Sequence, residues 1–476
     1  MSSKYFTSQT KQTELTKLKV DGEIPKWLNG KLIRNGPALF ELGNVKFKHW
    51  FDGWGMLHGF NIQNGEIFYH SKFIESKEYL ENQKDENASV LSWGTPIDPC
   101  KSIFGRFFSK FETLATNTNV NIIKIGEKYF TTSDILTLNE TDINSLDTLG
   151  SKSPEKNGAM AAHPSFNRDG KVWNVISPFS PKPVHKVISF TDEGEANIEG
   201  KFSTDKVYYT HSFGNTERYF ISIEQPLYLS FTDLITSKLR KKSYYECYHW
   251  DGKATNILHI FDRNSKSFIH IKTSEKFFFF HTVNSFEEDG KLIIDFCGYR
   301  DNKIVDDFYL ENLQTKGVSE ENKPDFMRLV VDLSTKETTL KKYDFNVELP
   351  SINHKFGGIN YNYLYGIHST NESKEISNAI IKYDFKENAE TIWKEENLLP
   401  GEPIFVATPD PKSEDDGILL VVCFDTIKQD SCLVVLSAKN MKETARSYTP
   451  NAIPASLQKE VNDLAKDIAG GWVPAK

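Results

Sequence analysis

The chain predicts an all-β fold, with a propeller or large barrel favoured over separate small sandwiches. Three observations carry this. Strand-type runs rich in Ile, Val, Phe and Tyr recur over the whole 476 residues. Turn pairs that suit tight hairpins stand between them at Asn64-Gly65, Asp169-Gly170, Asp251-Gly252, Asp289-Gly290 and Asp416-Gly417, because Gly accepts positive φ. No Pro- or Ser-rich linker divides the chain and no strict repeat of the WD or kelch kind is visible, so one large β architecture over 1–476 is expected.

The runs, in chain order, are GEIFYHSKFI, VNIIKIGEKYF, KVWNVISPF, HKVISF, RYFISIE, SFIHIKT, KLIIDFCGY, RLVVDL, AIIKYDF, GILLVVCF and SCLVVLSA. β-branched and aromatic residues at this density fit a pleated, half-buried surface. Two segments break the pattern. In PIDPCKSIFGRFFSKF at 96–111, residues Ile103, Phe104, Phe107, Phe108 and Phe111 form one helical stripe, which suits either a membrane interface or packing on the chain's own core. In 456–471, Leu457, Val461, Leu464 and Ile468 recur at steps of four, three and four before Gly470-Gly471, the pattern of a short amphipathic helix.

Composition narrows the function classes. Aromatics make up 13% and the net charge is −8, while mean hydropathy is −0.47 and the pI 5.9, values of a mildly acidic globule with a β-leaning interior. Duplex nucleic acid is not expected as a partner, because KLRKKS at 238–243 is a small basic loop and no basic face accompanies it. The five cysteines, Cys100, Cys247, Cys297, Cys423 and Cys432, are scattered without a CxxC pair, which argues against a disulfide framework or a zinc site and fits a reducing compartment. The polar start MSSKYFTSQTKQTELTK lacks a charged-then-apolar pattern, and the run Ile418–Phe424 is too short to span a bilayer. A cytoplasmic protein is expected, with membrane association through 96–111 and acylation at Cys100 as options.

Three histidines are the candidate chemistry: His163 in AMAAHPSFNRDG, His211 in YYTHSFGNTERYFISIEQP and His281 in KFFFFHTVNSFEEDG. Each lies beside a strand run and ahead of a turn, so they meet only if separate strands converge. Neutral imidazoles so gathered hold a borderline divalent metal, and iron(II) with open positions is a natural candidate. Taken singly, each reads as an ordinary histidine in a β-turn.

The stretch Gly30–Ser76 (GKLIRNGPALFELGNVKFKHWFDGWGMLHGFNIQNGEIFYHSKFIES), followed in order by DPCKSIFGRFF, NVNIIKIGEKYF, AAHPSFNRDG, YYTHSFGNTERYFISIEQPL, FHTVNSFEEDG, VELPSIN and GEPIFVATPDPKSEDDGILLVV, resembles the carotenoid oxygenase family. DPCKSIFGRFF is similar to the animal-type branch, with its β-carotene cleavage enzymes and retinoid isomerohydrolase. The resemblance implies a seven-bladed β-propeller with a helical cap over the top face. It also implies iron(II) on the axis, held by four histidines and reached by an apolar tunnel. His163, His211 and His281 fall on three ligand positions. Glu348 and Glu402 match two of the carboxylates that accept the imidazoles' outer N–H, and the third falls on Asp134, one methylene shorter. His49 and His58 lie in the opening signature but are not family ligands, and His354 and His368 read as ordinary residues.

The fourth histidine is absent. The family pattern of Ile-Pro, two or three residues, then Phe-His-Gly meets Ile453-Pro454-Ala455-Ser456-Leu457-Gln458-Lys459, so Gln458 falls on the ligand position. An amide oxygen suits iron(II) less well than imidazole, and Glu402 would have to take a proton or find a new donor. The leading expectation is an iron(II)- and dioxygen-dependent cleavage of a double bond in a carotenoid or apocarotenoid. Two others keep the fold: an impaired propeller that carries or senses a polyene or retinoid, and a retinoid isomerohydrolase-like reaction with iron as Lewis acid.

Overall fold

A computed structural model describes residues 3–42, 45–84, 92–96, 116–370, 373–455 and 472–474. Seven antiparallel sheets of four or five strands follow one another along the chain, and they form the blades of a β-propeller. The first blade contains Gly30–Leu39, Trp54–Gln63 and Glu66–Phe73. The seventh contains Leu398–Ala407, Gly417–Asp425, Asp430–Ser437 and Glu443–Tyr448. All eleven runs named above contribute strands; VNIIKIGEKYF supplies two, Asn121–Ile125 and Lys128–Thr132.

Burial grades across each blade. Inner and middle strands such as Val172–Ser177 and Tyr219–Glu224 are buried throughout, because both faces pack on neighbouring blades and alternation disappears. Outer strands such as Ala389–Trp393 and Thr148–Lys152 are mostly exposed. The apolar clusters divide accordingly. Ile221, Ile260, Phe279 and Ile294 fill one seam between blades. A larger cluster that includes Trp50, Tyr209, Phe278, Phe280 and Phe308 lies around the axis.

Both ends of the described chain close the ring. Asp21–Gly22 pairs with Glu443–Tyr448 at the outer edge of the seventh blade. Gly22 has φ +96°, and a Cβ there would overlap the Thr444 carbonyl, so this close approach requires glycine. At the other end Trp472–Pro474 pairs with Gly30–Leu32 of the first blade. Just before it, Ala455 donates its N–H to the Tyr5 carbonyl (3.1 Å) and accepts from the Trp50 indole (2.9 Å).

Several expectations are corrected. Asn64-Gly65 and Asp289-Gly290 are tight turns with positive φ at both residues, but Asp251-Gly252 lies in a longer loop and Gly417 of Asp416-Gly417 already opens the strand Gly417–Asp425, both pairs without that conformation. The basic stretch 238–243 is not a loop throughout, since its first residues complete the helix Phe231–Arg240, capped by the Ser230 hydroxyl. The stripe of Ile103, Phe104, Phe107, Phe108 and Phe111 and the predicted helix 456–471, with Gln458, lie outside the described residues. Among the described residues no helix is long and apolar enough to cross a membrane.

Candidate metal centre

His281 reaches the axis through an irregularity in its strand. In Phe278–Glu288 and the residue before it, Phe277 and Phe279 point into the seam between blades, while Phe278 and Phe280 join the axial cluster. Strict alternation would send His281 into the seam. The register slips between Phe279 and Thr282 and again before Asn284, and such bulges re-aim side chains beside sites. His163 sits between the short inner strands Ala159–Met160 and Ser165–Phe166, and His211 just before Gly214–Asn215. The His163 N–H donates to the His211 carbonyl at 3.3 Å.

The three imidazoles converge. One ring nitrogen from each lies within 4.8 Å of the others, and His163, His211 and His281 are 4%, 2% and 0% exposed. The Nε2 atoms of His163 and His211 are 3.1 Å apart. Two nitrogens each about 2.1 Å from one ion and at right angles would stand about 3 Å apart, so the set fits a metal with neutral nitrogen donors.

The outer nitrogens are held by carboxylates. His211 Nδ1 lies 3.0 Å from both oxygens of Asp134, so the shorter side chain does reach. Tyr209 Oη donates to Asp134 Oδ2 at 2.9 Å. His281 Nδ1 donates to Glu348 Oε2 at 2.5 Å, and Tyr299 Oη donates to Glu348 Oε1 at 2.8 Å. Glu348 sits at a second bulge, where Leu349 has φ +46° and gives its N–H to the same carboxylate. Burial pushes the Glu348 carboxyl up, but His281, the Leu349 N–H and Tyr299 outweigh it and hold the group below its ordinary value. Burial, reinforced by the adjacent carboxylates, raises the Tyr209 and Tyr299 phenols well above theirs, so both stay protonated as donors.

Glu402 is placed differently. Its Oε2 accepts from Arg34 Nη1 at 3.0 Å, with the two side chains 0% and 3% exposed. The carboxylate assigned by resemblance to a fourth histidine thus has a cationic donor. Of the histidines set aside, His49 accepts from Phe51 N–H and lies 3.0 Å from the Val305 carbonyl, His58 bonds Tyr69 Oη at 2.8 Å, and His368 bonds the Asn346 carbonyl at 2.9 Å.

Cavities flank the centre. One has His163, Ser212, Thr282 and Asn284 in its wall, together with Phe166 and Phe213. A more apolar one is lined by Phe280, Phe308, Ile367, Ile376, Glu348 and Lys323. Phe280 stands edge-on to His211, ring centroids 5.4 Å apart. Sequence reasoning missed Arg34, Tyr209, Phe280 and Tyr299; the only signal was position, two residues before His211 for Tyr209 and one before His281 for Phe280.

The family model described as retinal pigment epithelial membrane protein matches residues 6–457. The chain belongs to this family, the carotenoid oxygenases. Relatives of this carotenoid oxygenase include the β,β-carotene 15,15'-dioxygenase of Mus musculus, 31% identical over 96% of this chain and 90% of the mouse protein. The mitochondrial carotenoid-cleaving dioxygenase of Mustela putorius furo is 30% identical, over 94% of each chain. Among solved structures, a variant of the Synechocystis apocarotenoid oxygenase superposes with a TM-score of 0.86 at 23% identity, covering 96% of this chain and 97% of that one. A cobalt-substituted form of the Synechocystis enzyme gives 0.85 at 24% identity, with the same coverage. The structural likenesses show the shared seven-bladed fold.

Proposed function

We propose that this carotenoid oxygenase is an iron(II)-dependent enzyme that cleaves a double bond of a carotenoid or apocarotenoid with dioxygen. One observation carries the reading: three buried imidazoles face one point, and two have their outer nitrogens fixed by carboxylates that tyrosines hold in turn. Iron(II) bound by His163, His211 and His281 would supply dioxygen activation. The protein's own tasks are geometric. Asp134 and Glu348 keep each imidazole's outer nitrogen protonated and its inner lone pair on the axis. Phe280, Phe308 and Ile367 form a wall against which a polyene lies while water is excluded.

A polyene dissolves in membranes, so peripheral contact of an otherwise cytoplasmic protein belongs to the same reading. Helix Phe231–Arg240 supports it: Ile235 and Leu239, one turn apart, are 54% and 43% exposed, and Arg240, Lys241 and Lys242 follow. Apolar side chains beside basic ones suit an anionic interface.

The test is iron stoichiometry in protein purified anaerobically with iron(II), together with dioxygen-dependent loss of β-carotene or apocarotenal absorbance. Near-stoichiometric iron with bleaching is expected. Metal-free protein that still binds the polyene would instead make the chain a carrier, the reading that the Gln458 position and the Arg34–Glu402 pair favour. In that case Gln458→His is the decisive variant, because it restores the missing donor type.

A further inference from the structure

A second histidine pair lies in the outer half of the fourth blade. His259 and His270 are register partners in the hairpin Ile257–Asp262 / Ser267–Lys272. Their Nδ1 atoms are 2.8 Å apart. On its other side His259 donates through Nε2 to Glu224 Oε2 at 2.9 Å, and Glu224 Oε1 accepts from Tyr228 Oη at 3.0 Å. His259 is 4% exposed and stacked on Phe202, ring centroids 4.5 Å apart, whereas His270 is exposed.

We propose that His259 and His270 form a cross-strand site for zinc(II) or a similarly borderline divalent ion, through their two Nδ1 atoms. The pieces repeat those at the axis: a carboxylate fixes the outer nitrogen of a buried imidazole, and a tyrosine fixes the carboxylate. With Nε2–H committed to Glu224, the neutral His259 ring presents its Nδ1 lone pair toward His270. His270 reaches the ligating tautomer by moving its proton to Nε2, which costs little on an exposed ring. Ligands about 2.0 Å from an ion stand about 2.8 Å apart at a right angle and about 3.3 Å at a tetrahedral one. A small opening of the exposed ring thus suffices, and water fills the remaining positions.

Two imidazoles form a weak site, so the experiment compares chains rather than searching for tight binding. Iron-loaded wild type, His270→Ala and His270→Cys are dialysed against micromolar zinc chloride, and bound zinc per chain is counted. Wild type is expected to hold one zinc more than His270→Ala, with His270→Cys restoring it and Glu224→Gln weakening affinity roughly 10- to 100-fold. Zinc should also raise the melting temperature of wild type and His270→Cys but not of His270→Ala. Equal zinc in wild type and His270→Ala overturns the proposal and makes the 2.8 Å contact a shared proton. Zinc at the axial histidines would add equally to every variant, so the count is independent of the chemistry there.

Discussion

Arg34 and Glu402 form a 3.0 Å ion pair in which neither side chain is more than 3% exposed. Arg34 stands on the strand Gly30–Leu39 of the first blade and Glu402 on Leu398–Ala407 of the seventh, so the pair joins the first and last blades of the ring. Removing one member of a buried pair strands the other charge. Arg34→Met should therefore destabilise the protein by about 3–5 kcal/mol in urea unfolding, and Arg34→Met with Glu402→Leu by clearly less. A single-variant loss below about 1 kcal/mol would show that the pair is not desolvated.

Asp134→Asn keeps the shape of the contact with His211 but removes its charge. Metal affinity should fall roughly 10- to 100-fold, read by competition with a chelator of known affinity. Unchanged affinity would mean that Tyr209 or the backbone alone orients His211.

The pH dependence of stability should carry the mark of Asp52. Burial raises its carboxyl to about 6, against hydrogen bonds from Thr95, at 2.5 Å, and from the Gly94 N–H. The folded state therefore holds a proton that the unfolded chain releases at the ordinary carboxylate value. This contribution is full below about pH 4 and is lost as pH rises through about 6. Denaturation midpoints between pH 5 and 7.5 should fall less in Asp52→Asn than in wild type; parallel curves would refute the assignment.

Filling the apolar cavity should separate binding from metal chemistry. Ile376 is part of its lining, which includes none of the three histidines, so Ile376→Trp should lower bleaching of a long polyene at least tenfold while iron content stays at the wild-type value. Full activity in this variant would place the polyene elsewhere.

The strands were legible because their residue types and spacing state what each buried surface needs. Hairpin tips were less so. Lys266, Lys336, Asn388 and Gln429 all adopt positive φ without glycine, held there by the strands on either side. At the centre, the resemblance names His163, His211, His281, Asp134 and Glu348, and the structure has the three imidazoles side by side, with Asp134 on His211 and Glu348 on His281. What no local pattern announces is re-aiming by bulges. The slip that turns His281 inward, and the left-handed Leu349 that seats Glu348, arise from pairing partners distant in sequence. The Arg34–Glu402 pair spans 368 positions, beyond any periodicity argument.

Closure of the ring by Asp21–Gly22 and Trp472–Pro474 sets an order on biosynthesis. The three histidines are translated well before Trp472–Pro474, the strand that pairs with Gly30–Leu32 in the first blade. Until those residues are made, Gly30–Leu32 lacks this pairing, and the first blade is completed only after all three histidines have been translated. Metal loading during synthesis therefore meets an unfinished first blade, and loading of the finished protein meets a completed one.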